Sequence, residues 1–129
     1  MKKATRIVAL LLLSVMCVGL LVACAPNSDP AKAEAALEKN GYTVTRYNTT
    51  NLKTVLGLLG ISSDDGLETY VLGTNEKKLS VTILYFDDNK NAKAYWDEHK
   101  SDLEAKNETA GCSGKVVYYG HKDAVNSAR

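Results

Sequence analysis

The hydrophobic and polar positions of this 129-residue chain fall into two regimes. From Ile7 to Val22 the run IVALLLLSVMCVGLLV carries no charge and shows no alternation of any period. From Asp29 onward, apolar and polar residues alternate with periods that identify individual elements. Asp29 can cap a helix whose first residue is Pro30, a position where proline's missing N–H costs nothing. The Ala-rich AKAEAALEK behind it favours helix by propensity, and Gly41 ends it. Residues 42–48, YTVTRYN, are rich in β-branched and aromatic side chains and predict a strand. In NLKTVLGLLG, Leu52, Val55, Leu56 and Leu59 stand at i, i+3, i+4 and i+7 and predict a short helix ending near Gly60.

After the loop SSDDG (62–66), LETYVL (67–72) and LSVTILYF (79–86) flank GTNEKK and predict a hairpin. In the second of these strands Leu79, Val81, Ile83 and Tyr85 share one face, and Ser80, Thr82, Leu84 and Phe86 the other. A strand apolar on both faces at one end belongs in the middle of a sheet. Asp87 or Asp88 then caps a long helix with Ala92, Tyr95, Trp96, His99 and Leu103 on one stripe and Lys93, Asp97, Lys100 and Glu104 elsewhere. NETAGCSG reads as a loop, KVVYY (115–119) as the last strand, and a short helix begins near His121. The order α-βαββαβ-α fits an α+β domain with a four-stranded, mainly antiparallel sheet and its helices on one face. Its middle section matches the ferredoxin-like βαββαβ plan, with extra terminal helices.

The apolar opening is an address. Lys2, Lys3 and Arg6 precede the run, giving the basic start and apolar middle of an export signal. With no charge before Asp29, an uncleaved membrane helix is the competing reading, and both place the domain outside. Ala23-Cys24-Ala25 also offers an ordinary cleavage pattern, but that cut would leave Pro26 first, where proline resists cleavage. Leu21-Val22-Ala23-Cys24 resembles the lipobox of bacterial lipoproteins. The resemblance implies attachment of a diacylglycerol to the Cys24 sulfur, cleavage just before it, and acylation of the new amino group. Residues 1–23 are then a signal peptide, 24–29 a short tether and 30–129 one globular domain. The expected location is the extracytoplasmic face of a bacterial membrane, the cell membrane or, in a double-membrane bacterium, the outer one. YFDDNKNAKAYW followed by GKVVYYGHKDAV resembles small uncharacterised lipoproteins of Gram-positive bacteria, a likeness that brings no activity with it.

Cleavage leaves 106 residues, enough for one domain with its own core. It also removes three basic residues, taking the formal charge from +1 to −2. That balance, with scattered lysines and no basic stripe, argues against nucleic acid or anionic lipid as a partner. The mature chain is also too short for a two-lobed solute receptor. Cys17 leaves with the signal and a lipidated Cys24 leaves Cys112 as a lone thiol; without lipid, Cys24 and Cys112 are free to pair.

Asp87, Asn89, Asn91 and Glu98 occupy positions 1, 3, 5 and 12 of an EF-hand-like loop, but Ala92 stands where the sharp turn needs glycine. An acidic helix cap explains the same residues. His99 lies on the apolar stripe as a packing residue, and Cys112 with His99 or His121 is the one thiol arrangement to weigh. No H-E-x-x-H, paired cysteines, G-x-S-x-G or glycine-rich phosphate loop occurs, so neither catalytic residues nor a cofactor or metal are expected. Tyr47, Tyr70 and Tyr119 are candidates for one exposed sheet face suited to sugar or peptide. The expectation is a membrane-anchored, non-catalytic module binding a protein, peptide or glycan. A metal- or thiol-dependent enzyme or accessory factor, or a regulator of an envelope protein, are its alternatives.

Overall fold

The computed structural model describes residues 25–48 and 66–129. Residues 1–24, with the expected signal and Cys24, and residues 49–65, with the helix expected on Leu52, Val55, Leu56 and Leu59, lie outside the described residues. The elements are α1 (Pro30–Lys39), β1 (Thr43–Asn48), β2 (Leu67–Thr74), β3 (Ser80–Phe86), α2 (Asn89–Lys106), β4 (Thr109–Ser113), β5 (Val116–Gly120) and α3 (Lys122–Ser127). The fold is α+β, and its sheet has the order β1-β2-β3-β5-β4 with every neighbouring pair antiparallel.

The helix caps follow the sequence. Asp29 accepts from the Ala31 N–H at 2.9 Å at the start of α1, and Asp88 accepts from the Asn91 N–H at 2.7 Å at the start of α2. The β2–β3 hairpin turns on Asn75, whose side-chain oxygen accepts from the N–H groups of Lys77 and Leu79 at 3.1 and 3.0 Å. β3 is the middle strand, as its two apolar faces require. Val81, Ile83 and Tyr85 join one core cluster, and Leu84 and Phe86 the other.

Three expectations are corrected. The sheet has five strands rather than four, because NETAGCSG contains β4 instead of forming a loop. Its small residues carry little β propensity. Pairing with β5 through a two-residue turn makes it a strand, with Gly114 at φ +57° in the first central position. On this edge strand the cross-strand neighbour Tyr118 lies over Gly111, where a Cβ would meet the phenol oxygen. The ferredoxin-like plan fails in part for the same reason and in part because of how β1 and β2 pair. β4 reverses the chain after α2, so β5 returns antiparallel beside β3, and β1 and β2 are antiparallel neighbours rather than strands split across a crossover.

The helices also occupy both faces rather than one. Leu37 of α1 and Ala124 and Val125 of α3 pack with Val71, Val81, Ile83 and Tyr85, whereas Ala92 and Tyr95 of α2 pack with Leu84, Phe86 and Val117 on the opposite side. A central strand with apolar side chains on both faces needs cover on both.

Candidate functional site

The strand register assembles three rows of side chains on the α2 side of the sheet. Tyr47, Tyr70, Leu84, Val117 and Cys112 form one row, and Thr45, Leu72, Thr82, Tyr119 and Ala110 the next. Thr43, Thr74 and Ser80 continue the face toward the β2–β3 turn. These rows hold eight hydroxyl side chains and no charged one. The β-bulge between Leu67 and Thr69 keeps Leu67 and Tyr70 on this face, with Glu68 as the extra, exposed residue. Main contacts of α2 are with β3, β5 and β4, so the Tyr47 end of the face lies beyond the bulk of that helix.

Tyr47, Tyr70 and Tyr119 therefore share one sheet face, as their strand positions suggest, but the expectation that this face is exposed is corrected: none of the three rings is fully exposed, because neighbouring strands and the α2-side core cover them. The rings of Tyr47 and Tyr70 are 5.8 Å apart between centroids at an interplanar angle of 42°, within the range of favourable tilted aromatic pairs. The Thr82 side chain, one row over and one strand across from Tyr70 and directly paired with Tyr119, lies beside both phenols. Tyr70 is buried, while Tyr47, Leu72, Thr82 and Tyr119 are half-buried and Thr43, Thr45 and Thr74 are exposed. Burial raises the Tyr70 and Tyr119 phenols above their ordinary value, partly offset by the Thr82 hydroxyl. The face thus presents neutral hydroxyls and flat apolar rings. Sequence spacing located the three tyrosines; the place of Thr82 beside Tyr70 and Tyr119 depends on strand register and had no local signal.

Cys112 lies at the β4 end of the first row, half-buried against the α2-side core. Desolvation raises its thiol above the ordinary value, Asp97 adds to the rise, and Lys93 opposes it. At neutral pH such a thiol is a poorer nucleophile than a free one. The two histidines are engaged with other groups. The His99 ring lies 4.2 Å from that of Tyr95 and its Nε2 is 4.0 Å from Glu98. His121 accepts from the Asp123 N–H through Nδ1 at 3.2 Å, and its Nε2 lies 3.0 Å from Glu108. The structure does not join Cys112 and a histidine through any of these contacts.

The EF-hand-like segment is not a loop: from Asn89 onward it is the first turns of α2. Asp87 accepts from the Asn91 side-chain amide at 2.7 Å, Asp88 is the N-cap, and Gly66, at φ +76°, fits against Asp87 where a Cβ would collide. Among the described residues no group of three or more His, Cys, Asp or Glu is arranged to hold a metal ion.

A polar cleft of about 510 Å³ opens between the end of α1, the β2–β3 turn and α3. Its asparagines already serve the fold. Asn40 donates to Ala36 and Ser127 carbonyls, and Asn75 organises the hairpin turn. A smaller cavity of about 160 Å³ beside Tyr118 and Val125 is below the size of a typical small-molecule site. Among the described residues no helix is long and apolar enough to cross a membrane. No protein-family model, curated protein or solved structure matches the chain.

Proposed function

We propose that the protein is a lipoprotein held through Cys24 on the extracytoplasmic face of a bacterial membrane, where its domain acts as a non-catalytic module that binds envelope glycan. The carrying observation is the uncharged, hydroxyl-rich sheet face on which Tyr47, Tyr70, Thr82 and Tyr119 converge. A neutral polyhydroxylated ligand suits it: the rings offer flat apolar area, the hydroxyls offer donors and acceptors, and no charge has to be desolvated. A charged peptide would find no ion-pairing partner in these rows.

The anchor reading is supported by Lys2, Lys3 and Arg6, the uncharged run from Ile7 and the sequence Leu21-Val22-Ala23-Cys24 acting together. At ~0.8 kcal/mol per buried methylene, two acyl chains contribute on the order of 20 kcal/mol, an anchor that does not release on the timescale of the cell. Metabolic labelling with palmitate tests it: label on the wild-type chain and none on Cys24→Ala is expected, and an unlabelled wild-type chain refutes it. For the binding face, retention on cell-wall polysaccharide should fall at least tenfold in the double variant Tyr47→Ser/Tyr119→Ser. Undiminished retention by a folded double variant refutes the glycan reading.

A further inference from the structure

Ala25 to Asp29 form no free tether. Ala25 packs against the core on the α1/α3 side of the sheet, and Pro26 is buried. The Asn27 N–H donates to the Ala128 carbonyl at 2.9 Å, and the Tyr85 hydroxyl donates to the Asn27 carbonyl at 2.8 Å. The Asn27 side chain in turn accepts from the Asp29 N–H at 2.9 Å, leading directly into the α1 cap. Burial, reinforced by the Asp29 carboxylate, raises the Tyr85 phenol well above its ordinary value and keeps it a donor. Six free residues would span about 20 Å, whereas the peptide link from Cys24 to the clamped Ala25 spans about 3.8 Å.

We infer that this clamp fixes the domain on the bilayer in one orientation, with the α1/α3 side against the lipid and the tyrosine face turned away. The inference rests on lipidation of Cys24 and adds to it the side of the domain that meets the membrane. The clamp residues Ala25 and Tyr85 belong to one core cluster and Tyr47, Tyr70 and Tyr119 to the other, so the sheet itself separates anchor from tyrosines. Exposed charges on α1 are mixed, with Lys32 and Lys39 accompanied by Glu38, so the acyl chains rather than a basic patch hold this side down. The contact therefore has no need of anionic lipid.

The test uses the full-length chain, lipidated in bacterial cells and reconstituted into phosphatidylcholine vesicles carrying a headgroup-linked energy-transfer acceptor. A donor dye is placed on Lys32→Cys or on Thr45→Cys, both exposed positions, in a Cys112→Ser background. Transfer from position 32 should exceed that from position 45 by an amount corresponding to about 10 Å or more, the spacing of one packed layer. Ten Gly/Ser residues inserted between Cys24 and Ala25 should erase the difference. Equal transfer from both positions in the uninserted, lipidated chain overturns the orientation alone. An intact mass lacking the diacylglycerol overturns it together with the lipid reading.

Discussion

The two faces of the sheet are made from the same strands by the same alternation, yet they are finished differently. On the α1/α3 side, Leu37, Val71, Val81, Ile83, Ala124 and Val125 are at most 2% exposed, and residues 25–29 add a further strip of cover. On the α2 side, Leu84 and Val117 are fully buried under the helix, but the face then runs out through Tyr47, Leu72, Thr82 and Tyr119 to exposed threonines. The first face is closed, with the rings of Tyr42, Tyr85 and Tyr118 buried among its aliphatic side chains; the second grades from core into a partly open surface of rings and hydroxyls. On the proposed function, stability and recognition fall to different sides of one sheet, and a side chain's parity along its strand decides which side it joins.

Substitutions on the two sides should differ in cost. The largest effect is expected from Ile83→Ala, which opens a cavity in the closed face and should cost about 2–5 kcal/mol in denaturant unfolding. Gly120→Ala comes next. Its φ of +146° and the nearness of Ser80 and Val81 backbone leave no room for a Cβ, so a loss of about 1–3 kcal/mol is expected from the same measurement. Tyr85→Phe removes one hydrogen bond to Asn27 and should cost about 1 kcal/mol, with hydrogen exchange accelerating at the Asn27 amide and little change in the α2-side core. Thr45→Ala, on the open side, should alter stability by less than about 0.5 kcal/mol. A Thr45→Ala cost as large as that of Ile83→Ala would contradict the division.

Alkaline pH probes both sides at once. Tyr70, Tyr85, Tyr119 and Cys112 all have pKa values raised by burial from 10.0 for the phenols and 9.0 for the thiol. Their contribution is fully present below those unfolded-chain values. It is lost as pH rises above them, because the unfolded chain releases protons that the folded chain retains. Melting temperature should therefore fall from about pH 9 upward, and Tyr85→Phe should make that fall shallower.

Much of the fold was legible from side-chain pattern. The stripe Ala92, Tyr95, Trp96, His99 and Leu103 is the buried or half-buried side of α2, and the alternation in β3 placed that strand at the centre. β4 was not legible. Thr109–Ser113 has neither alternation nor bulky residues, and its strand conformation comes from pairing with Val116–Gly120, a contact local pattern does not register. Missing it removed one chain reversal, and with it the correct direction of β5. Apolar residues on both faces of β3 did signal helices on two sides, a signal that the ferredoxin-like expectation set aside. At the site, strand parity put the three tyrosines together, whereas Thr82 comes beside Tyr70 and Tyr119 only through register across three strands. The clamp at residues 25–29 was hidden as well, since Asn27 and Tyr85 are 58 residues apart.

The division of labour between the two faces is tested most directly by nuclear magnetic resonance titration of the mature chain, carrying Cys24→Ser, with soluble cell-wall glycan fragments. Shifts are expected at Thr45, Tyr47, Leu72, Thr82 and Tyr119, with Leu37, Ala124 and Val125 unmoved. Saturating glycan that leaves those strand residues unshifted, or that shifts only the α1/α3 side, would contradict it.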